Sequence, residues 1–360
     1  MGEGSWIGLD VHARSVVAAV IDGVSGEVVV ARAPVAVDEL VGWVRSHRGP
    51  VRVAYEAGPT GFGVARALEA AGVGCVVAAP SLIPKSAVGK GRKHDAADAE
   101  MLARLLRLGE LVAVRVPDAA DEAARDLVRA REDARADLMR TRHRLSKMLL
   151  RYGQVFDGRA WTGAHEVWLR GQMFDHPGSR AAFDDYHHAV LTAKLRRDDL
   201  DAKIAELATD PRFAPLVGRL GCLRGVGTLT AFALCVEIGD WSRLSGRTIG
   251  SYLGLVPQEH QSGQKHSRGS ITKAGNSHAR RLLVESAWHH RKPLRVSVEL
   301  ERRRGGQPPH VRARAEHAGR RLHHRWQHLE KRRGVRSTVV AVAVARELAG
   351  FCWSLAVMDD

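Results

Sequence analysis

The chain opens with three short apolar runs joined by tight turns, and this opening restricts the fold more than any later segment. Trp6–Val11 is followed by Ser15–Ile21 and Glu27–Ala33, the last two joined by Asp22-Gly23-Val24-Ser25-Gly26. Short runs rich in Val and Ile and closed by turn residues predict strands, here an antiparallel meander. Helical spacing at Val37–Ser46 leads to a fourth strand at Val51–Tyr55, a second helix at Thr60–Ala71 and a fifth strand at Gly74–Ala79. Strands in series, then strands alternating with helices, predict a mixed α/β sheet with helices packed on it.

Beyond Asp121 the period changes to seven. Ala120, Leu127, Ala134, Thr141 and Met148 form one seam; Ala124, Arg131, Leu138, Leu145 and Tyr152 form another. A shorter series pairs Val190, Arg197 and Ile204 with Ala193, Leu200 and Leu207. Two long helices in a coiled-coil hairpin satisfy this pattern, with an irregular Trp- and Gly-bearing stretch between them. Ala, Thr and Arg weaken the seams, so a helical bundle within one subunit satisfies it too.

A third region starts near Pro211, with helices expected at Thr228–Ile238, Thr248–Leu253, Asn276–His290 and Val339–Val357. The last run has the length of a membrane span. Arg346 and Glu347 in its middle favour a packed helix and no membrane. Between the final two helices, residues 302–336 are rich in Arg, His and Gly and read as a solvated, mobile loop, or as a direct nucleic-acid contact. Three domains are therefore expected, at 1–115, 116–210 and 211–360.

Charge separates these regions. Residues 211–360 carry 26 Lys and Arg against 11 Asp and Glu, the whole of the net +15, while the two earlier segments are near neutral. Such segregation favours a polyanionic partner. With aromatics at 5%, single-strand stacking is not the obvious mode of binding. Four scattered cysteines with no CxxC pair, and an N-terminus unlike a signal peptide, point to the reducing cytoplasm.

The acids carry the chemistry. Asp10 closes the first strand, Glu56 closes the fourth, and Asp95 and Asp98 share one helix face. Singly, each reads as a surface charge or a helix cap, Asp95 near a helix start above all. Together, four carboxylates would repel one another unless a cation neutralised them. Ligands that are all oxygen select a hard ion, Mg²⁺ or Mn²⁺, and two such ions can clamp the attacking and leaving oxygens of a phosphodiester.

Leu9-Asp10-Val11-His12, Tyr55-Glu56-Ala57-Gly58-Pro59-Thr60-Gly61 and Lys93-x-Asp95-x-x-Asp98-Ala99 resemble the DEDD transposases of the insertion sequence one-ten family, which includes the Piv-type DNA invertases. The similarity continues through Leu223-Arg224-Gly225-Val226-Gly227, where Arg224 stands in place of a usual proline. It extends through Tyr252–Pro257, Ser262-Gly263, Ile271–Asn276 with Arg280-Arg281, and Ala341–Arg346. The resemblance implies a RuvC-like (RNase H-like) N-terminal domain, a helical coiled-coil middle and a mainly α-helical C-terminal transposase domain. It also implies a serine nucleophile, at the position of Ser262, that forms a covalent ester with DNA. From residues alone, Ser262-Gly263 reads more readily as a turn in a polar loop, and a serine hydroxyl needs activation to attack.

Gly225 and Gly227 resemble a helix–hairpin–helix turn that offers backbone N–H groups to phosphate; an ordinary tight turn is the alternative. Lys273, Asn276, Arg280 and Arg281 are the remaining candidates for nucleic-acid contact. The resemblance further implies donor and target DNA, a structured non-coding guide RNA that pairs with both, and homodimers assembling into tetramers. A RuvC-like hydrolytic nuclease or Holliday-junction resolvase, using water and no covalent intermediate, is the nearest rival. A kinase-like ATPase needs a glycine loop that Asp10-Val11-His12-Ala13 lacks, and a non-catalytic regulator has no use for four gathered acids.

Overall fold

Side-chain alternation along the first strand decides the layering of the N-terminal unit. The structure, a computed structural model, describes residues 3–84, 94–262 and 265–358, and their side chains except those of 260–268. It divides into two compact units, 1–118 and 119–360. In the first, β1 (Ser5–Val11) sends Ile7 and Leu9 to one face of the sheet and Trp6, Gly8 and Asp10 to the other. β2 (Val16–Asp22) and β3 (Val28–Ala33) follow as the antiparallel meander. β4 (Val51–Glu56) then runs parallel to β1, and β5 (Gly74–Ala78) parallel to β4. The sheet order is β3-β2-β1-β4-β5, the mixed α/β arrangement expected.

Helices α1 (Val37–Arg45) and α2 (Gly63–Ala70) cover one face, where Leu40, Val44, Ala65 and Leu68 pack on Ile7, Leu9, Val53 and Tyr55. Helix α3 (Asp95–Leu108) covers the other, setting Ala99 and Ala103 against Ala19 and Ile21. The approach of α3 is very close. A Cβ built on Gly8 would lie 2.0 Å from the Ala99 carbonyl oxygen and 2.5 Å from the Ala103 nitrogen. Glycine in the strand and alanines in the helix thus let backbone rest on backbone.

In the second unit, α4 (Ala119–Arg151) and α6 (Pro177–Leu207) run antiparallel. Cross-links fix the direction: Arg131 to Asp201 at 2.6 Å, Asp137 to Arg196 at 2.9 Å, and Tyr152 to Ser179 at 2.8 Å. Ala124, Ala134, Leu138, Leu145 and Met148 of the two seams are buried. The weak position Arg131 is occupied by its ion pair, and Tyr152 is half exposed. The seams therefore serve a pairing within one chain. Ala124, Val128 and Ile204, at the base of the hairpin, join the C-terminal core, so the second compact unit holds the hairpin together with the C-terminal helices. The stretch between the long helices holds a further helix, α5 (Gly163–Arg170), capped by Thr162 and packed through Leu169.

The remaining elements are α7 (Ala214–Gly221), α8 (Thr228–Ile238), α9 (Ile249–Tyr252), a hairpin of β6 (Pro257–Ser262) and β7 (Lys265–Ile271), α10 (Ser277–Ala287), α11 (Val298–Arg304), α12 (Pro309–Gln327) and α13 (Ser337–Ala356). Two sequence expectations fail in this region. The hairpin lies where a polar loop was read. Residues 302–336 are not a loop either: α12 and a π-helical turn at His328–Arg332 fill most of the segment. Val311, Ala315, Ala318, Leu322, Trp326 and Leu329 form a buried stripe at helical spacing. α13 has the length and apolarity of a membrane span, yet Val340, Val344, Leu348 and Leu355 are wholly buried in the core of this unit.

The contact at Gly8 makes a stability prediction. Gly8→Ala should destabilise by the upper end of the ~1–3 kcal/mol typical of overpacking, because backbone rather than a flexible side chain must yield. Gly42→Ala in α1, where a Cβ meets nothing within 4 Å, should be neutral or stabilising by up to ~1 kcal/mol. Denaturant unfolding of the two variants checks the contrast; equal effects would refute the close-contact account.

Candidate metal centre and nucleic-acid contacts

Gly8 fixes α3 at Ala99, and the first turn of the helix therefore lies beside the end of β1. Asp10 is two residues beyond Gly8 on the same face; Asp95 and Asp98 stand four and one residues before Ala99. The structure brings Asp10, His12 and Asp95 together, with their potential ligand atoms all within 4.8 Å of one another. His12 Nε2 lies 3.2 Å from Asp10 Oδ2 and 3.9 Å from Asp95 Oδ1. Asp98 is near enough to be felt electrostatically. Burial chiefly, then the charges of Asp95 and Asp98, push the Asp10 carboxyl above its ordinary range, while His12 pulls it back.

Glu56 is exposed at the end of β4 and stands outside this cluster of atoms. Register nevertheless places it close in the fold. Gly8 pairs with Ala54 and Leu9 with Tyr55, so one further step along the parallel strands sets Glu56 beside Asp10. Asp95 is the first residue of α3 and His94 the N-cap, with no side-chain cap bond. Its charge suits the helix N-terminus, but it does not cap the helix. Among the described residues none of the four acids pairs with Lys or Arg. Lys93 of the motif lies outside the described residues.

His12 stands beside two acids of the expected all-oxygen donor set. The sequence showed it beside Asp10, but only the approach of α3 reveals an imidazole between two carboxylates. The donors fit a divalent cation: crowded carboxylates, one of them disfavoured as an anion by its neighbours, are relieved by positive charge.

The other candidates separate into engaged and free groups. Ser262 ends β6, its backbone paired with Lys265; its side chain lies outside the described residues. Gly225 has φ +84°, and a Cβ there would lie 2.6 Å from the Ser286 carbonyl oxygen, so this turn rests directly on α10. Gly227 is the N-cap of α8. Arg224 donates to the carbonyls of Lys292, at 3.0 Å, and Pro293. Asn276 caps α10 through Ala279 N at 2.9 Å and donates to Glu237 at 2.6 Å. Arg280 holds the carbonyls of Leu253 and Ala274, and Arg281 pairs with Glu285 and Glu132. Lys273 is exposed at φ +55°, a conformation uncommon for a side-chain-bearing residue. It is the one basic candidate whose side chain is uncommitted among the described residues.

Glu237 escaped the sequence reading. It lies in the apolar helix α8 with its side chain 1% exposed. His278 and Arg129 reach it at 3.3 Å, and Asn276 at 2.6 Å. These hydrogen bonds and charges outweigh burial and bring its carboxyl down to about 2. A lone acid in an apolar helix was the available signal.

Two family profiles match the chain: one described as the Transposase IS116/IS110/IS902 family over residues 218–295, and a DEDD transposase profile of the IS110 type over residues 7–154. The chain is 43% identical over 304 residues to "Putative transposase y4qE" of Sinorhizobium fredii, covering 84% of this chain and 74% of the relative. It is 33% identical over 337 residues to "Transposase for insertion sequence element IS1533" of Leptospira borgpetersenii, covering 91% and 97%. These matches place a chain with a mixed α/β unit and a mainly helical second unit in a class of DNA-cleaving and rejoining enzymes. The chain belongs to the IS110 family of insertion-sequence transposases.

Removing the Glu237 carboxylate strips Asn276, His278 and the mostly buried Arg125 of their partner, while the exposed Arg129 can turn to solvent, so Glu237→Ala should cost about 1–3 kcal/mol. The folded carboxyl titrates below its ordinary 4.5, at about 2. Its stabilising contribution is therefore complete above pH 4.5 and is lost as the pH falls toward 2. Wild type and Glu237→Gln should differ fully at neutral pH and converge over that interval in denaturant titrations. A difference independent of pH would rule out the charged network.

Proposed function

We propose that the first unit is an RNase H-like, RuvC-type catalytic domain holding Mg²⁺ or Mn²⁺, and that Ser262 is the nucleophile for DNA strand exchange. The observation that carries this reading is the gathering of Asp10, Asp95 and His12 at the α3–β1 contact, with Asp98 within electrostatic reach. Asp10, Asp95 and Asp98 would hold the ion, with Glu56 at the adjacent strand end. His12 either joins them as a ligand or remains the counter-ion of Asp10. A bound divalent cation supplies charge stabilisation at a scissile phosphate. The imidazole moves the preference toward Mn²⁺ relative to an all-oxygen site.

In the step assigned to Ser262, its Oγ forms a bond to phosphorus and loses its proton to a base. The phosphorus–oxygen bond to one sugar breaks, and that oxygen takes up a proton. The resulting phosphoserine ester conserves the energy of the broken bond for rejoining, which water attack would lose. A structured non-coding RNA is proposed as the guide to donor and target DNA, consistent with the basic C-terminal half. Lys273 and the Gly225–Gly227 turn are proposed backbone contacts; Asn276, Arg280 and Arg281 would act there by shaping the 273–276 loop. The active assembly is proposed to be a homodimer pairing into a tetramer, in the cytoplasm and off the membrane.

Asp10→Asn should fold, with a metal-free melting temperature equal to or above wild type because a crowded charge is removed, and should lose cleavage by orders of magnitude. Full activity in excess chelator would refute the metal site. Ser262→Ala should bind nucleic acid normally and cut nothing. Denaturing the wild type during reaction should trap DNA on the peptide containing Ser262. Cleavage by Ser262→Ala with no adduct in wild type would refute the serine nucleophile and leave a hydrolase.

A further inference from the structure

The arginine-rich stretch of the sequence resolves into one wall of a cationic cleft. α12 and α13, with the segment leading into α9, enclose about 560 Å³, the size of many ligand sites, which run from ~300 to 1,000 Å³. Arg247, Arg314, Arg325 and Arg346 line it against a single carboxylate, Glu347. That carboxylate is already engaged: it accepts from Arg321 at 2.6 Å and stands 3.9 Å from Arg325. Arg247 and Arg346 are exposed and have no hydrogen-bond or ion-pair partner among the described residues. Arg314 is held on one edge by Ser354 Oγ at 2.9 Å and on one face by the Phe351 ring at 4.9 Å.

Small residues make the space. A Cβ on Gly250 would lie 3.1 Å from Arg346 Cγ, and one on Gly246 would lie 3.4 Å from the Trp353 ring. The long side chains therefore lie across a floor that other residues would fill. Four guanidiniums facing one occupied carboxylate repel one another across a concave surface, where effective dielectric is lower than in bulk water. An anion relieves that repulsion, and planar guanidinium forks match phosphate oxygens. The cleft offers little to read a base. The Phe351 face is covered by Arg314, and the Trp353 N–H is committed to the Leu244 carbonyl at 3.0 Å.

We propose that this cleft binds the sugar–phosphate backbone of a nucleic-acid strand, without sequence discrimination, through Arg247, Arg346, Arg314 and Arg325. The proposal rests on the reading of this chain as a nucleic-acid enzyme and adds a site to it. Phosphate displaces Glu347 as the weak partner of Arg325, while Arg321 retains the carboxylate.

The test is equilibrium binding of the full-length protein to duplex DNA and to single-stranded RNA oligonucleotides of one sequence, across a salt series. Arg247→Ala/Arg346→Ala removes two charges with no internal partner among the described residues, so circular dichroism should be unchanged. Each lost phosphate contact lowers the log–log salt slope by ~0.9 for duplex and ~0.7 for single strands; the double variant should be shallower by about 1.4 to 1.8 and bind on the order of tenfold more weakly. Glu347→Gln should bind more tightly. Loss confined to one probe identifies DNA or RNA as the occupant, and loss on both assigns a shared backbone contact. Unchanged slope and affinity in the double variant overturn the proposal, as does an equal loss in Arg332→Ala/Arg333→Ala, which removes the same charge outside the cleft. Failure of the wild type to bind either probe would instead overturn the nucleic-acid reading itself.

Discussion

Backbone contact between α3 and β1 sets the geometry of the acidic cluster in the first unit. An ordinary helix is held off the sheet it covers by the side chains of both surfaces. At Gly8 there is no side chain, and Ala99 and Ala103 contribute only methyl groups. The helix sinks until backbone meets backbone, and its first turn is carried to the end of β1. The carboxylates do not attract one another into place. Burial and the charges of Asp95 and Asp98 oppose ionisation of Asp10, so the apolar contact one turn away holds them against their repulsion. Packing supplies the free energy, and the site spends part of it.

The second unit solves the opposite electrostatic problem. Lysine and arginine together outnumber the acids there, and two of those acids sit where arginines converge. Glu237 is buried beneath Arg129, Arg125 and His278, and Glu132 is held between Arg135 and Arg281. Each such acid fixes the crossing of helices distant in sequence, as Glu237 on α8 does for α4 and α10. A buried ion pair adds little net stability once desolvation is counted. Its effect is on geometry, because any other arrangement leaves a charge unmatched. Consequently the candidate loop at 273–276 is braced from beneath by Asn276 and Arg280, while Lys273 above it is uncommitted among the described residues.

What the sequence revealed followed from local pattern. Strand alternation exposed Asp10 as an acid at the end of an apolar run, and the three-residue spacing was enough to put Asp95 and Asp98 on one helix face. The heptads forecast the long helices but not whose partner they were; Arg131 shows why, since its core position is acceptable only with Asp201 opposite, 70 residues away. Glu237 was hidden for the same reason, its partners Arg129 and His278 lying 108 and 41 residues distant. Residues 302–336 were misread because composition drowned periodicity: the apolar stripe from Val311 to Leu329 was present at helical spacing among many arginines and histidines. The hairpin at 257–271 had no such stripe, its run Gln258-Glu259-His260-Gln261-Ser262 being polar throughout.

The separation of charge between the two units fits the proposed metal site. Carboxylates placed freely among arginines become ion pairs, as Glu132, Glu237 and Glu347 have done, and a paired carboxylate is a poor ligand. Asp10 and Asp95 have only His12 as a charged partner among the described residues. A neutral imidazole leaves both acids able to bind a cation; a protonated one competes for the same oxygens. Bare, the acids repel a DNA backbone, and a divalent ion bound there would reverse the sign of the site. On the proposed reading, electrostatic recruitment of nucleic acid comes from the excess basic residues of 119–360, which leave the carboxylates of the first unit unneutralised.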